Sequence, residues 1–226
     1  IPEELSHVVN FSDLESANRI DAEYFQPKYE ALISKIKSKN TKSLGELTLM
    51  KKGIEPGSGK YREEGKLFIR VSSLSKFGIE DKNQKYLSEK LYQKLKENFK
   101  PEVDEILLTK DATPGIACVL KESIEGIIAS GILRLKLNLD VEPEYLALVI
   151  NSIVGQMQAE QDTGGSVILH WRPEQIKNCL IPILPKFTQQ KIANLVKKSH
   201  AARKKSKELL EKAKREVEEM IERNTN

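Results

Sequence analysis

The last fifth of the chain has the apolar spacing of one long helix. No glycine or proline interrupts the sequence between Thr188 and Asn224, and Thr188 is suited to be the N-cap. A helix of about 35 residues extends roughly 50 Å at 1.5 Å per residue. The rest of the chain is expected to form a globular head in front of this helix. Because a head of this size cannot cover such a length, we expect most of the helix to project.

One side of this predicted helix carries an apolar stripe at heptad-like spacing. Its predicted pairing residues are Ile192, Leu195, Val196, Leu210, Ala213, Val217 and Met220. A lone helix leaves such a stripe in water, so the pattern favours a coiled coil or an antiparallel pair with a second helix. The alternative is a helix that folds back on its own head.

The start of the chain has a weaker pattern. Residues 1–20 show little periodicity, which predicts an extended lead-in. From Asp21, a suitable N-cap, apolar residues recur at helical spacing to about Asn40. Pro27 falls in or near the first turn, where proline is tolerated. We therefore expect one amphipathic helix before the head.

Residues 41–186 mix strands and helices without regular alternation, which favours an α+β head. The predicted strands are 67–71, 105–108, 116–120, 127–137 and 180–184, with a short apolar strand after the turn at Gly164 and Gly165. The predicted helices are 88–98 and 144–157. The predicted domains are thus a lead-in with its helix (1–40), a mixed α/β head (41–186) and the long helix (187–226).

Charge and hydropathy narrow the possible functions. A net charge of +4 permits nucleic-acid binding without requiring it. No apolar run approaches the ~18 residues of a membrane span, and no signal peptide is visible, so we expect a cytoplasmic protein without a membrane partner. Cys118 and Cys179 lie in apolar segments, which is typical of buried thiols in a reducing compartment. The chain opens on Ile1, which suggests a piece of a longer polypeptide.

The sequence lacks a recognisable catalytic centre. It has no Pro-Pro pair, hence no Asn/Asp-Pro-Pro-aromatic segment for gripping a target base, and no Phe-x-Gly-x-Gly methyl-donor loop. The stretch from Gly53 to Lys60 is one residue too long for a P-loop, and Tyr61 stands where Ser or Thr would hold magnesium. The three histidines have neither metal-ligand nor triad spacing. We predict a protein that is not an enzyme and that has no cofactor and no metal.

Six short segments occur in a specific order along the chain. They are Leu-Gly-Glu-Leu at 44–47 with the following Lys-Gly, Phe-Ile-Arg-Val-Ser-Ser-Leu at 68–74, Glu-Ile-Leu-Leu-Thr-Lys-Asp-Ala-Thr-Pro-Gly at 105–115, Gly-Gly-Ser-Val at 164–167, Ile-Pro-Ile-Leu-Pro at 181–185 and Gln-Gln-Lys-Ile at 189–192. Together they resemble the target recognition domain in the DNA specificity subunits of Type I restriction-modification enzymes. The resemblance covers nearly the whole chain.

The resemblance implies a function in DNA recognition. A member of this family binds double-stranded DNA and docks DNA methyltransferase subunits, which carry the catalysis. A full-length member usually has two recognition domains, and their two long helices pair antiparallel as a spacer. This chain has one of each, so a second copy, a missing second half or another subunit is expected to cover its helix. A homodimer would present two heads to a bipartite site.

The chemistry of DNA contacts first singles out the loop at 51–62. Phosphates are bound by cations and small polar groups, whereas base edges are read by forked donors and acceptors. The candidates in this loop are Lys51, Lys52, Ser58, Lys60, Tyr61 and Arg62. A solvated surface loop is the alternative interpretation.

Two further candidate segments follow along the head. The second segment consists of two stretches that resemble loops of the family, with the candidates Arg70, Ser72, Ser73, Lys110 and Thr113. Whether its Arg and Asp contact DNA or tie the loops together by an internal ion pair stays open. The third segment follows the Gly-Gly turn, with the candidates Ser166, His170 and Arg172. Trp171 fits a core anchor better than a base-stacking platform.

Several alternatives stay open at this stage. The chain could instead be the specificity part of a fused restriction-methyltransferase polypeptide. An adaptor whose helix only assembles proteins is a third possibility. The basic first half of the long helix, Lys191 to Lys207, has three candidate surroundings: DNA phosphates, an acidic patch on methyltransferase subunits, or water.

Overall fold

The computed structural model describes residues 7–165 and 167–223. The helices are α1 (Phe11–Ala17), α2 (Pro27–Lys37), α3 (Leu44–Leu47), α4 (Glu89–Phe99), α5 (Pro143–Asn151), α6 (Ile153–Thr163), α7 (Pro173–Asn178) and α8 (Lys186–Arg223). The strands are β1 (Thr41–Ser43), β2 (Thr48–Lys52), β3 (Lys66–Ile69), β4 (Leu74–Ser75), β5 (Gly78–Ile79), β6 (Lys85–Leu87), β7 (Ile106–Thr109), β8 (Ala117–Val119), β9 (Gly126–Ile128), β10 (Ile132–Leu137) and β11 (Leu180–Pro182). The predicted mixed α/β head with a long C-terminal helix is confirmed.

Two sheets form the centre of the head. One is antiparallel and four-stranded, in the order β2-β10-β7-β8. The other has the order β6-β3-β9, and in it β3 and β9 run parallel. The chain passes from β9 to β10 within residues 129–131, here called the joining turn. This turn therefore connects the two sheets.

The main core lies between the four-stranded sheet and the helices α3, α5 and α7. Leu135, Leu146 and Trp171 are among its fully buried residues. Burying an apolar side chain of this size contributes about 1.5–3 kcal/mol. Cys118 and Cys179 are also buried, and burial raises the pKa of each thiol to about 12. The predicted buried thiols are confirmed.

The boundaries of two predicted helices are wrong. The first helical segment does not begin at Asp21, whose carboxylate accepts hydrogen bonds from the Arg19 side chain. Instead, α2 begins at Pro27, and the first helical position suits proline. The predicted helix 144–157 is divided at Ser152. Its hydroxyl accepts a hydrogen bond from the Val154 N–H and caps α6.

Three predictions of extended structure also differ from the structure. The predicted strand 127–137 is interrupted because the Ile132 N–H donates to the Ala129 oxygen at 3.0 Å and closes the joining turn. No strand forms at 167–169, where Val167 and Ile168 are exposed. The lead-in contains α1 instead of extended chain. Each residue of α1 stays at least partly exposed, which explains why the sequence shows no apolar stripe there.

The long helix begins earlier than predicted. It starts at Lys186, and the Pro185 oxygen accepts the Thr188 N–H at 2.8 Å in its first turn. Thr188 is therefore inside the helix and is not its N-cap. The helix has 38 residues, which corresponds to roughly 57 Å.

The first half of α8 lies against the head. Ala193 is buried and Ile192 packs against the main core. Farther along, the Arg203 guanidinium lies 4.0 Å from the centre of the Phe77 ring, and Lys207 lies 3.3 Å from a carboxylate of the head. Less of the helix projects than the sequence predicts, and the head itself covers the predicted pairing residue Ile192.

A buried ion pair between β10 and the residue before β7 offers a test of the packing inside the head. Arg134 donates to both carboxylate oxygens of Glu105 at 2.7 and 2.8 Å, and both side chains are at most 5% exposed. Arg134→Ala is expected to lower the free energy of unfolding by about 3–5 kcal/mol, because it leaves a buried carboxylate without its partner. Urea denaturation measures this loss. In the control, Lys136→Ala removes an exposed partner of Glu102 and should cost much less; equal losses would contradict the prediction.

Candidate nucleic-acid interface

The joining turn is the point at which the first two predicted DNA-binding segments meet. The Ala129 N–H donates to the Ile69 oxygen at 2.8 Å, and the Ser130 N–H donates to the Ile54 oxygen at 3.0 Å. A Cβ on Gly53 would lie 2.2 Å from the Ala129 oxygen, so only glycine allows this approach. The loops after β2 and β3 are thereby held against the same turn.

The loop after β7 reaches the joining turn as well. The Lys110 N–H donates to the Gly131 oxygen at 2.9 Å. A Cβ on Gly131 would lie 2.8 Å from a methyl group of Val71 and 3.3 Å from an oxygen of Asp111. The loops after β3 and β7 are therefore neighbours.

The segment before α7 completes the arrangement. The Trp171 N–H donates to the Lys110 oxygen at 2.7 Å, and Nδ1 of His170 lies 2.8 Å from Oδ1 of Asp111. We call the joining turn together with residues 53–62, 70–73, 110–113 and 167–172 the loop cluster. The structure thus brings the three predicted segments together.

Side chains of the first loop differ in their availability. Ser58, Lys60 and Arg62 are exposed, and Arg62 is anchored through Nη1, which donates to two backbone oxygens of its own loop. Tyr61 is half-buried and its hydroxyl donates to the Glu55 carboxylate at 2.9 Å. The surface of this loop is therefore mainly cationic and hydroxylic.

Lys51 and Lys52 belong to β2 instead of the loop. Both are exposed. Successive residues of a strand point to opposite faces of the sheet. At most one of these two lysines can therefore lie on the same surface as the loop cluster.

The turn after β3 is held by its own side chains. The hydroxyl of Ser73 is buried, donates to the Arg70 oxygen at 2.9 Å and accepts the Arg70 N–H at 3.0 Å. Arg70 is half-buried, and its Nη2 donates to the Asn83 oxygen at 2.5 Å. Its Nε is buried and has no hydrogen-bond partner among the described residues. Ser72 is the exposed candidate of this turn.

An internal ion pair occupies the loop after β7. Lys110 is 8% exposed and its Nζ lies 2.7 and 2.8 Å from the two oxygens of Asp111. Burial alone would raise the pKa of Asp111, but hydrogen bonds from Lys110 and His170 lower it below its ordinary value. Lys110 and Ser73 therefore support the loops from inside, and their role as DNA contacts stays a prediction. Thr113 is exposed.

Two candidates of the third segment, His170 and Arg172, are exposed. The side chain of His170 is 63% exposed, and its contact with Asp111 fixes the orientation of the ring. Arg172 is exposed, and its Nε donates to Gln175 at 3.2 Å. The predicted candidate Ser166 lies outside the described residues.

Arg19 of the lead-in braces this third segment, a role that the sequence analysis missed. Its Nη1 and Nη2 donate to the Asp162 and Gly164 oxygens at 2.9 and 3.0 Å. The hydrogen bond with Asp21 raises the pKa of Arg19. Asp162 in turn accepts the indole N–H of Trp171 at 2.8 Å, and Trp171 is fully buried as a core anchor. The Arg-x-Asp spacing indicates a local ion pair, but a sequence does not reveal its distant target.

The head partly neutralises the basic half of α8. Three of its lysines lie near carboxylates of the head: Lys197 at 3.7 Å from Glu144, Lys204 at 3.9 Å from Glu122 and Lys207 at 3.3 Å from Glu80. From the sequence, this half has DNA phosphates, an acidic patch on methyltransferase subunits, or water as candidate surroundings. In the structure, acidic residues of the same chain are a fourth.

The described ranges, 7–165 and 167–223, contain no group of three or more His, Cys, Asp or Glu side chains that could hold a metal ion. No helix within them is long and apolar enough to cross a membrane. The loop cluster offers guanidinium, ammonium, hydroxyl and imidazole groups, which are the groups that contact phosphates and base edges.

The comparison with protein families identifies the chain. The family model described as "Type I restriction modification DNA specificity domain" matches residues 34–215. The chain belongs to this family. Its members are non-catalytic recognition subunits of restriction-modification systems, and the resemblance noted in the sequence is confirmed. A comparison of this specificity domain with curated proteins yields no match.

Solved structures share the fold of this specificity domain. The S subunit of a Type I restriction-modification system from M. genitalium has a TM-score of 0.51 at 16% identity, covering 69% of this chain and 37% of that chain. A structure on complex assembly and conformational transition of the type I R-M system has a TM-score of 0.52 at 15% identity, covering 88% of this chain and 52% of that chain. The type IIG restriction endonuclease BpuSI has a TM-score of 0.55 at 10% identity, covering 82% of this chain and 30% of that chain. The specificity domain thus spans about half or less of each of these chains.

The brace formed by Arg19 can be tested through Trp171, the one tryptophan of the sequence. Arg19→Ala is expected to shift Trp171 fluorescence to longer wavelength and to lower the free energy of unfolding by about 1 kcal/mol, because partly buried acceptors lose their donor. Arg19→Lys should restore part of the wild-type Trp171 emission and part of the lost free energy of unfolding. The control Lys28→Ala removes an exposed cation that binds Glu160 of α6 and should leave the emission unchanged. An unchanged spectrum in Arg19→Ala would refute the brace.

Proposed function

We propose that this specificity domain reads one half of a bipartite site in double-stranded DNA. The observation that carries the proposal is the loop cluster, in which the first two predicted segments meet at the joining turn and the third is bonded to the loop after β7. A sequence reader needs phosphate contacts for position and base contacts for specificity on the same surface. The exposed candidates are Ser58, Lys60, Arg62, Ser72, Thr113, His170 and Arg172, with one of Lys51 and Lys52 and the half-buried Tyr61 and Arg70 beside them.

The side chains suit different contacts. Arg62 and Arg172 carry planar forks that match the two acceptors of guanine in the major groove. Lys60 is a flexible point charge suited to a phosphate. The ring of His170, held by Asp111, can present its other nitrogen to a base edge.

The C-terminal half of α8 is proposed to pair with a second long helix. Residues 201–222 are exposed, and Leu210, Val217 and Met220 are each 58–69% exposed. Leu195 and Ala213 are exposed as well, whereas Val196 is half-buried. Leaving this stripe in water is unfavourable, so a helix from a second copy or a second half-subunit is the expected partner.

The charge along α8 favours an antiparallel pair. Residues 191–207 contain seven basic and no acidic side chains, whereas residues 208–222 contain six acidic and three basic ones. Antiparallel pairing places the basic half of one helix beside the acidic half of the other, and parallel pairing places like charges together. A dimer of this kind would hold two heads apart along one duplex.

Docking of DNA methyltransferase subunits is the second part of the proposed function. The family match supports it, because a specificity domain of this kind supplies recognition while the catalysis lies in other subunits. Those subunits would take the target adenine out of the helix before methylating it at N6. This chain would select the site at which that happens.

One alternative is favoured by a specific observation. The fold similarity to a type IIG restriction endonuclease agrees with a specificity domain fused to catalytic domains in one polypeptide. In that case the same loop cluster reads DNA, and the methyltransferase belongs to the same chain. An adaptor without DNA binding is a third candidate, and the salt dependence of DNA binding separates it from the other two.

DNA binding is tested by selecting duplexes from a random pool and titrating the selected duplex at several salt concentrations. We expect a steep loss of affinity with salt, with a log–log slope of about 0.9 per phosphate contact. Arg62→Ala or Arg172→Ala should relax the preference at one base position and cost about 1–3 kcal/mol of discrimination. The control is Lys110→Gln, whose buried side chain should change stability more than base preference. The absence of salt-dependent DNA binding would favour the adaptor.

Helix pairing is tested by sedimentation of the full chain. The double variant Leu210→Glu with Val217→Glu places charges in the exposed stripe and is expected to convert a dimer to a monomer. Leu49→Glu is the matched control, because Leu49 is 60% exposed on β2. A wild-type chain that sediments as a monomer at all concentrations would exclude the homodimer and leave a second half-subunit as the partner.

A further inference from the structure

A pocket rich in cations lies beside α4, next to the loop cluster. It has a volume of about 290 Å³ and is lined by Lys60, Arg62, Ser88, Lys90, Leu91 and Lys94. Four of these six residues are basic and none is acidic. Lys90 and Lys94 were not among the candidates of the sequence analysis, because they belong to a helix and not to a loop.

The charges of this pocket have no partner of opposite charge in the described part of the chain. Neighbouring lysines of the head have carboxylate partners: Lys66 lies 2.5 Å from Glu125, and Lys85 lies 2.5 Å from Glu63. Within the described parts of the chain, no carboxylate lies within ion-pair distance of any of the four pocket cations. The pocket is therefore a local concentration of positive charge.

The pocket is firmly connected to the first loop of the cluster. Arg62 and Tyr86 exchange two backbone hydrogen bonds of 2.9 and 3.0 Å, which attach the loop to β6. β6 leads directly to Ser88, whose hydroxyl accepts the Leu91 N–H and caps α4. Tyr92 of α4 is buried in the core beneath. The cations thus come from elements whose relative positions are fixed.

The helix itself favours an anion at this place. Lys90 and Lys94 are four residues apart on α4, so their like charges lie side by side and destabilise the helix. The positive end of the helix dipole lies at Ser88 and adds to the same potential. A bound anion would reduce the repulsion between the two lysines and would be attracted by the positive end of the helix dipole.

We propose that this pocket binds a backbone phosphate of the DNA duplex that the loop cluster reads. The inference rests on the proposed function and extends the interface from Lys60 and Arg62 along α4 to Lys90 and Lys94. An ammonium group donates without a fixed geometry and attracts a phosphate as a point charge. The two α4 lysines therefore contribute affinity that does not depend on DNA sequence.

The test compares the full-length wild type with the double variant Lys90→Gln and Lys94→Gln. Affinities for a selected duplex and for a scrambled duplex are measured at several salt concentrations. The variant is expected to lose affinity for both duplexes by the same factor, and its log–log salt slope should be smaller by roughly 1–2, since each phosphate contact contributes about 0.9. The control Lys35→Gln with Lys39→Gln removes the same charge at the end of α2 and should keep the slope.

Each outcome decides between the two proposals. An unchanged slope in the α4 variant, with wild-type DNA binding intact, overturns the phosphate site and leaves the proposed function standing. A changed base preference also overturns it, because the lysines would then read sequence. A wild type without salt-dependent DNA binding overturns the proposed function and the pocket together. Thermal unfolding of the variant checks its fold, and Lys94→Gln alone replaces it if the fold is lost.

Discussion

Backbone hydrogen bonding at the joining turn is the constraint on which the candidate interface depends. The chain leaves β9 of one sheet and enters β10 of the other within three residues, so a regular ladder cannot satisfy the polar groups between them. Buried N–H and C=O groups need partners. They find them in Ile54, Ile69 and Lys110, at the base of three loops that are distant in sequence. A requirement of the fold thus brings the loops to one place.

The long helix serves two surfaces with one continuous backbone. Its first half packs on the head through Ile192 and Ala193 and through the contact between Phe77 and Arg203. Its second half exposes an apolar stripe. Because the first half is fixed, the direction of the second half relative to the loop cluster is fixed as well. A partner on that stripe would therefore be held at a set distance from the proposed DNA surface.

The modest net charge hides an uneven distribution. Many charged side chains are used inside the protein, as in the pairs Arg134–Glu105 and Lys110–Asp111, or between α8 and the head. These pairs contribute little to the field around the molecule. Four cations that have no such partner in the described part of the chain line one pocket between the first loop and α4. The position of uncompensated charge, more than its total, is what favours a polyanion at this face.

The sequence by itself determined the features that depend on local spacing. The long helix follows from heptad-like apolar spacing in a run without glycine or proline, and the buried thiols follow from their apolar neighbours. Only the tertiary structure decided which candidate side chains reach the surface: Ser73 and Lys110 are inside, whereas Arg62 is outside. It also placed Arg19 on a backbone oxygen 143 residues away. Local propensities act over a few residues, but burial and such contacts arise where distant segments meet, and no pattern along the chain encodes that meeting.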